Sequence, residues 1–232
     1  AWANSRREWG TYAVSMTDAP SPLSAPSSTG YLPAVLGMVA FASSVASIRH
    51  AKDADKAPSM ALRIELLQTA ARRVDSFAQV EAVCAEQGWQ ATTLAEVFRG
   101  SLGEFDERLR PADWPERLLK TYLSLGLLSD FCLTLVAGLG QEHAGELAGL
   151  VREDSFDTLA VAQLLPGIEA DAQLAGRLGL WGRRVVGEEI GTLLGMLATY
   201  PALLEGPADR ADLHEALSQG AVQRMRGIGL RV

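Results

Sequence analysis

The sequence predicts an all-α protein built around four long helices, and three observations carry that prediction. No stretch of the 232 residues sustains period-two alternation with hairpin signals, whereas apolar residues recur at three- and four-residue steps along most of the chain. Gly and Pro breaks divide residues 32–200 into segments long enough for helices of roughly 24 to 30 residues, about 36 to 45 Å each at the α-helical rise. One connection, residues 88–113, is long enough to serve as the single long crossover of a four-helix bundle.

Each element has its own justification. Residues 17–30 (TDAPSPLSAPSSTG) are rich in Pro, Ser and Ala and have little to bury, so residues 1–30 are expected to form a disordered tail. Met16 is read as an alternative start, which would make Trp2 and Trp9 irrelevant to the fold. No basic segment leads into a compact apolar run there, so no conventional signal peptide is expected. From Leu32 to Ile48 the chain runs seventeen residues without a charge. That is short of the roughly twenty needed to cross a bilayer. It contains Ser43, Ser44 and Ser47 and continues into Arg49-His50-Ala51-Lys52-Asp53, so a buried core helix is expected.

Pro58-Ser59 breaks the chain, and Ser59 is a suitable N-cap for a helix running to about Gln87 and stopped by Gly88. Thr92 or Thr93 is expected to cap a shorter helix reaching about Leu109, followed by a loop at Arg110-Pro111-Ala112-Asp113. Further helices are expected over Trp114 to about Ala137, about Glu142 to Leu165 (closed by Pro166-Gly167), about Asp171 to Tyr200 (stopped by Pro201), and about 208–225. The resulting division is a tail at 1–30, a bundle at 31–200 and a C-terminal helix and tail at 201–232.

Charge narrows the function classes. Twenty-one Lys and Arg oppose 28 Asp and Glu, a net −7, and all of it falls in residues 31–200, which hold 15 basic and 22 acidic side chains. Phosphate-coating and anionic-membrane proteins need clustered cations, so neither nucleic acid nor membrane is an expected partner. Cys84 and Cys132 lie in apolar helical runs and cannot alone build a metal or disulfide framework. A cytoplasmic location is the expectation.

A di-iron carboxylate bundle needs Glu-x-x-His on two helices and a carboxylate on two others, because a three-residue step puts both ligands on one face. The residues three before His50, His143 and His214 are Ser47, Gly140 and Ala211, so the chain contains no Glu-x-x-His. Asp130 stands out, since its helical neighbours Leu123, Gly126, Leu127, Leu133, Thr134 and Ala137 are mostly apolar. Such a carboxylate must be paired, hydrogen-bonded or metal-bound. Arg72-Arg73 and Arg183-Arg184 are adjacent residues, about 100° apart round a helix, and read as internal salt bridges rather than as phosphate patches. The run Glu86-Gln87-Gly88-Trp89 with Thr92-Thr93-Leu94-Ala95-Glu96-Val97 lacks the basic recognition helix of a DNA reader. No nucleophile with a nearby His and no Gly-rich phosphate loop occurs.

Two segments resemble a known family. Leu180-Trp181-Gly182-Arg183-Arg184-Val185-Val186-Gly187-Glu188 is similar to the Leu-Trp-Ala-Arg-Arg-Leu-Val-Gly-Glu signature of actinobacterial ferritin-like proteins. Those proteins are grouped with MiaE, a di-iron enzyme that hydroxylates a methylthio-isopentenyl-adenosine in tRNA. Pro111-Ala112-Asp113-Trp114-Pro115-Glu116, continuing through Lys120, Tyr122, Asp130 and Phe131, resembles the family's third bundle helix. The resemblance spans about residues 31–200 and implies a ferritin-like four-helix bundle with one long crossover, here with extra C-terminal helices. It also implies a di-iron site, whose ligand positions fall on Ser44 in the first helix, Ser76 and Gln79 in the second, Asp130 in the third, and Glu153 and Phe156 in the fourth. Only Asp130 and Glu153 are carboxylates.

The expectation is therefore a degenerate site with no cofactor and no catalytic residue, in which Arg72, one turn before Ser76, or Arg73 neutralises Asp130 and Glu153. The chain would act as a structural or interaction protein, as a homodimer or with an intact ferritin-like paralogue. Two alternatives are a MiaE-like hydroxylase with an atypical site on Asp130 and Glu153, and a bundle holding a small apolar ligand against Phe156, Ser44 and Ser76.

Overall fold

The computed structural model describes residues 30–103, 108–152 and 154–231; the N-terminal tail, Met16 and Glu153 lie outside the described residues. Every regular element among those residues is helical: α1 Tyr31–Lys56, α2 Met60–Glu86, α3 Ala91–Glu96, α4 Trp114–Ala137, α5 Gln141–Val151, α6 Asp154–Ala170, α7 Ala172–Thr199, a 3₁₀ turn Pro201–Leu204 and α8 Arg210–Gly227.

Caps set the boundaries. Ser59 Oγ accepts from Leu62 N at the start of α2, Asp113 Oδ1 from Glu116 N at the start of α4, and Asp171 from Gln173 and Leu174 N at the start of α7. Helix α8 opens with a reciprocal box between Asp209 and Asp212.

Helix α4 is the spine. Sixteen of its 24 residues are buried, and it packs against α1, α5, α6, α7 and α8. Its C-terminal half (Leu125 to Val136) joins one core cluster with Val35 to Ala46 of α1, Val80 to Cys84 of α2 and Leu213 to Ala221 of α8. Its N-terminal half (Leu118 to Leu123) joins a second with Leu62 and Leu66 of α2, Phe156 to Ile168 of α6 and Leu178 and Val185 of α7. Helices α1 and α4 have the length and hydropathy of a bilayer span, yet most of each is buried inside the bundle. Helix α3 closes on α1 so tightly that a Cβ on Gly37 would sit 2.6 Å from the Leu94 carbonyl.

Three boundaries differ from expectation. The helix expected over 142–165 is two helices, because Arg152 is extended (φ −62°, ψ 140°) between α5 and α6. Pro166 lies inside α6 rather than closing it. Leu164 and Ile168 on either side are both buried, so packing carries the helix past the missing N–H. Helix α3 starts after Gln90 rather than at a Thr cap and gives way to turns after Glu96; Thr93 Oγ1 bonds only the Gln90 side chain, at 3.3 Å.

Candidate functional site

The residues expected to mark the metal layer are engaged with the fold. On α1, Ser44 Oγ turns back to the Phe41 carbonyl at 2.8 Å, and its neighbour Ser43 to that of Val39 at 3.0 Å. On α2, Ser76 Oγ donates to the Arg72 carbonyl at 3.1 Å, while Gln79 is exposed and reaches only the Asp75 carbonyl at 3.4 Å. Phe156 is fully buried and lies against the His50 ring, centroids 4.4 Å apart.

Asp130 has a cation, and it is not the expected one. Arg224 of α8 forms a bidentate pair with it, Nη1 to Oδ2 at 2.5 Å and Nη2 to Oδ1 at 3.0 Å. Only 15% of the Arg224 side chain and 21% of the Asp130 side chain are exposed. Burial is the largest single influence on Arg224 and works against its charge, but the hydrogen bonds to Asp130 and the charges of Asp130 and Asp157 together outweigh it and hold the guanidinium above its ordinary range. Gly126 of α4 and Gly220 of α8 make room for the pair, since a Cβ at either would overlap it. Around it opens a cleft of about 380 Å³ bordered by Tyr122, Arg152, Asp154 and Asp157. Burial first, and the Asp157 charge second, push the Tyr122 phenol up to about 12.

The arginines predicted to neutralise Asp130 lie elsewhere. Arg72 is exposed and donates to Thr69 Oγ1 at 2.8 Å and Ser155 Oγ at 3.5 Å. Arg73 donates to the carbonyls of Leu150 and Arg152, both at 3.0 Å, and Ser129 Oγ to that of Val151 at 3.2 Å. Those three carbonyls belong to the broken end of α5, where no following turn of helix donates to them. Arg73 and Ser129 thus stabilise the interruption next to the fourth-helix ligand positions. The crevice between Ser43, Arg73, Ser129 and Val151 holds only about 20 Å³, room for about one water.

A di-iron group does not fit this donor set. The described positions offer two hydroxyls bonded to backbone, an exposed amide, a phenyl ring and one carboxylate already held by a guanidinium. Among the described residues no group of three or more His, Cys, Asp or Glu side chains is placed to hold a metal ion.

The two segments of the family resemblance meet at the other end of α4. Arg177 of α7 bridges Asp113 Oδ2 at 2.6 Å and Glu116 Oε1 at 2.5 Å. Trp181 Nε1 donates to the Glu116 carbonyl at 2.9 Å, and Glu116 Oε2 accepts from Ala112 N at 2.8 Å. Farther along, Arg184 reaches the Arg108 carbonyl at 3.3 Å and Arg108 pairs with Glu188 at 2.9 Å. Burial of Asp113 acts to raise its carboxyl, but bonds from Arg177 and Glu116 N prevail and hold it below the usual range. These contacts clamp α7 to the start of α4.

Sequence reasoning missed Arg224 and the capping role of Arg73. The available signal for Arg224 was a glycine one turn before each partner, Gly126 before Asp130 and Gly220 before Arg224, each leaving room for the other helix's side chain.

A model of the ferritin-like domain of actinomycetes matches residues 30–200. No curated protein matches the sequence.

Proposed function

The chain belongs to the actinomycete ferritin-like domain family, and from that premise we propose that it is a non-catalytic, MiaE-like member that acts by association as a homodimer. The observation that carries the non-catalytic reading is the Asp130–Arg224 pair. A carboxylate that accepts two bonds from one guanidinium has its charge neutralised and one lone pair on each oxygen engaged, so a metal there would have to compete with Arg224. Phe156, packed on His50, supports the same reading from the fourth helix.

Association is supported by the outer face of α2. Met60, Ile64, Leu67 and Val74 are exposed, at 65%, 46%, 44% and 58%. With Ala71 and Ala78 they follow a strict four–three spacing, the seam of a two-helix coiled coil. The seam complements itself in antiparallel register, with Leu67 opposite the second copy's Ala71 and Ile64 opposite its Val74.

Sedimentation velocity tests this reading. Wild-type protein should sediment as a dimer, and Ile64→Asp with Leu67→Asp as a monomer of unchanged helicity. A wild-type monomer at micromolar concentration, or a dimer indifferent to these changes, contradicts it; a complex formed only with an intact ferritin-like paralogue contradicts the homodimer.

A further inference from the structure

Helix α5 has little of its own to keep it folded. It has eleven residues, of which Leu147, Leu150 and Val151 are buried, whereas α4 buries sixteen of 24. Its N-cap is Gly140, which offers no side chain to the first free N–H groups. Two further glycines, Gly145 and Gly149, lie inside the helix, and a Cβ at either would meet nothing within 4 Å, so close packing does not require them. Each weakens the helix relative to alanine, and a helix this short is not stable by itself in water.

What α5 lacks is supplied from other helices, and at one end. Arg73 of α2 donates charge-assisted bonds to the carbonyls of Leu150 and Arg152, and Ser129 of α4 donates to that of Val151. At the other end the chain turns through Gly138-Leu139-Gly140, and beyond Val151 it is extended at Arg152. The helix is thus a short cover with a break at each end and one latch. Beneath the latched end lies the crevice between α1 and α4, walled by Val39, Ser43, Ala46, Leu125, Leu128 and Ser129. Ser43 and Ala46 are only 4% and 3% exposed while the cover is in place.

We propose that α5 is a lid: it unfolds locally, releasing the Arg73 and Ser129 bonds, and opens the α1–α4 crevice to solvent while the rest of the bundle stays folded. Opening gives up three buried side chains and three latch bonds, a small part of what global unfolding gives up, so the open form lies well below the unfolded chain in free energy. The second core cluster, which joins Leu118 to Leu123 of α4 with Phe156, Leu178 and Val185, contains no residue of α5 and holds the bundle together meanwhile. The lid makes no use of the exposed face of α2, so it stands whether or not the chain is a dimer.

Hydrogen exchange and thiol labelling of the full chain test this. In native buffer the amides of Leu147, Leu150 and Val151 should exchange as a group at least about a hundredfold faster, after correction for intrinsic rates, than those of Leu123 to Leu128 in α4. Gly145→Ala with Gly149→Ala should slow the α5 amides about tenfold. Ser43→Cys places a thiol in the crevice; its labelling by a neutral disulfide reagent, resolved by peptide from Cys84 and Cys132, should slow by the same factor when the glycines are replaced. Ala46→Cys, on the same wall, should behave alike and serves if the first substitution unsettles the fold. Leu178→Ala, in the second cluster, should speed the α4 amides and leave those of α5 unchanged. Any of three results would overturn the proposal: α5 amides as protected as those of α4, Leu178→Ala speeding both helices equally, or thiols at 43 and 46 labelled at a rate that the glycine substitutions leave unchanged.

Discussion

Two polar regions, one at each half of α4, differ in what holds them and in what they reveal. The clamp at the N-terminal end is made of Asp113, Glu116, Arg177 and Trp181, which form two pairs three and four residues apart in sequence. The layer in the C-terminal half is made of Asp130 with Arg224, and of Arg73 and Ser129 on the α5 break, with partners 94, 77 and 22 residues apart. The clamp carries the two segments of the family resemblance, and its contacts fix a helix start to its neighbour. The layer carries positions at which that resemblance implies metal ligands, and the polar atoms described there bond the protein itself. Under the proposed reading, family membership and activity depend on different residues, and the first can persist without the second.

This comparison can be broken at either end. The largest effect is expected from Phe156→Ala, which empties a fully buried ring site beside His50 and should cost about 4 kcal/mol in urea unfolding. If the fourth-helix position were a solvated ligand site, the cost would be small. Arg224→Ala comes next: it strands Asp130 on a largely buried face and should cost about 3 kcal/mol. Replacing both members together, Asp130→Leu with Arg224→Met, should recover most of that loss, as expected for a pair whose worth lies in mutual neutralisation.

Arg73→Ala removes two charge-assisted bonds to carbonyls at the break and should cost about 2 kcal/mol, whereas Gln79→Ala on the exposed face should stay within about 0.5 kcal/mol. The same denaturant curves read both. Among the ion-pair variants the smallest effect belongs to the clamp at neutral pH, because Arg177 is 42% exposed and solvent screens its pairs; Arg177→Gln should cost less than about 1 kcal/mol. Its signature is pH-dependent. The Asp113 carboxyl is depressed in the folded chain, so its contribution is present above the unfolded pKa, near 4, and is lost as pH falls through the lower folded value. Arg177→Gln should accordingly move the acid-unfolding midpoint to higher pH, with little change in stability at pH 7.

Local rules made much of this architecture legible. Ser59, Asp113 and Asp171 each announce a helix by a side chain that caps it, and α2, α4 and α7 begin and end within about two residues of the boundaries their periodicity and stop signals imply. The helix broken at Arg152 was not legible, because periodicity runs through the break and its carbonyls are satisfied by α2 and α4 side chains far away in sequence. Pro166 misled for the complementary reason: a local stop signal was overridden by packing at Leu164 and Ile168. Asp130 was recognisable as a carboxylate needing a partner from its apolar neighbours alone. Its partner was not, since Arg224 comes from a helix beyond the bundle and the nearer Arg72 lies on the same face as Ser76 in sequence but points outward in space.

Under the proposed reading the layer at Asp130 is structural rather than metal-binding, and iron content tests this most directly. Protein purified under reducing conditions, offered ferrous iron and freed of excess metal, should retain almost none, and Arg224→Ala should retain no more than wild type. One or two iron atoms per chain, lost on Asp130→Ala, would contradict the account and return Asp130 to the centre of an enzyme.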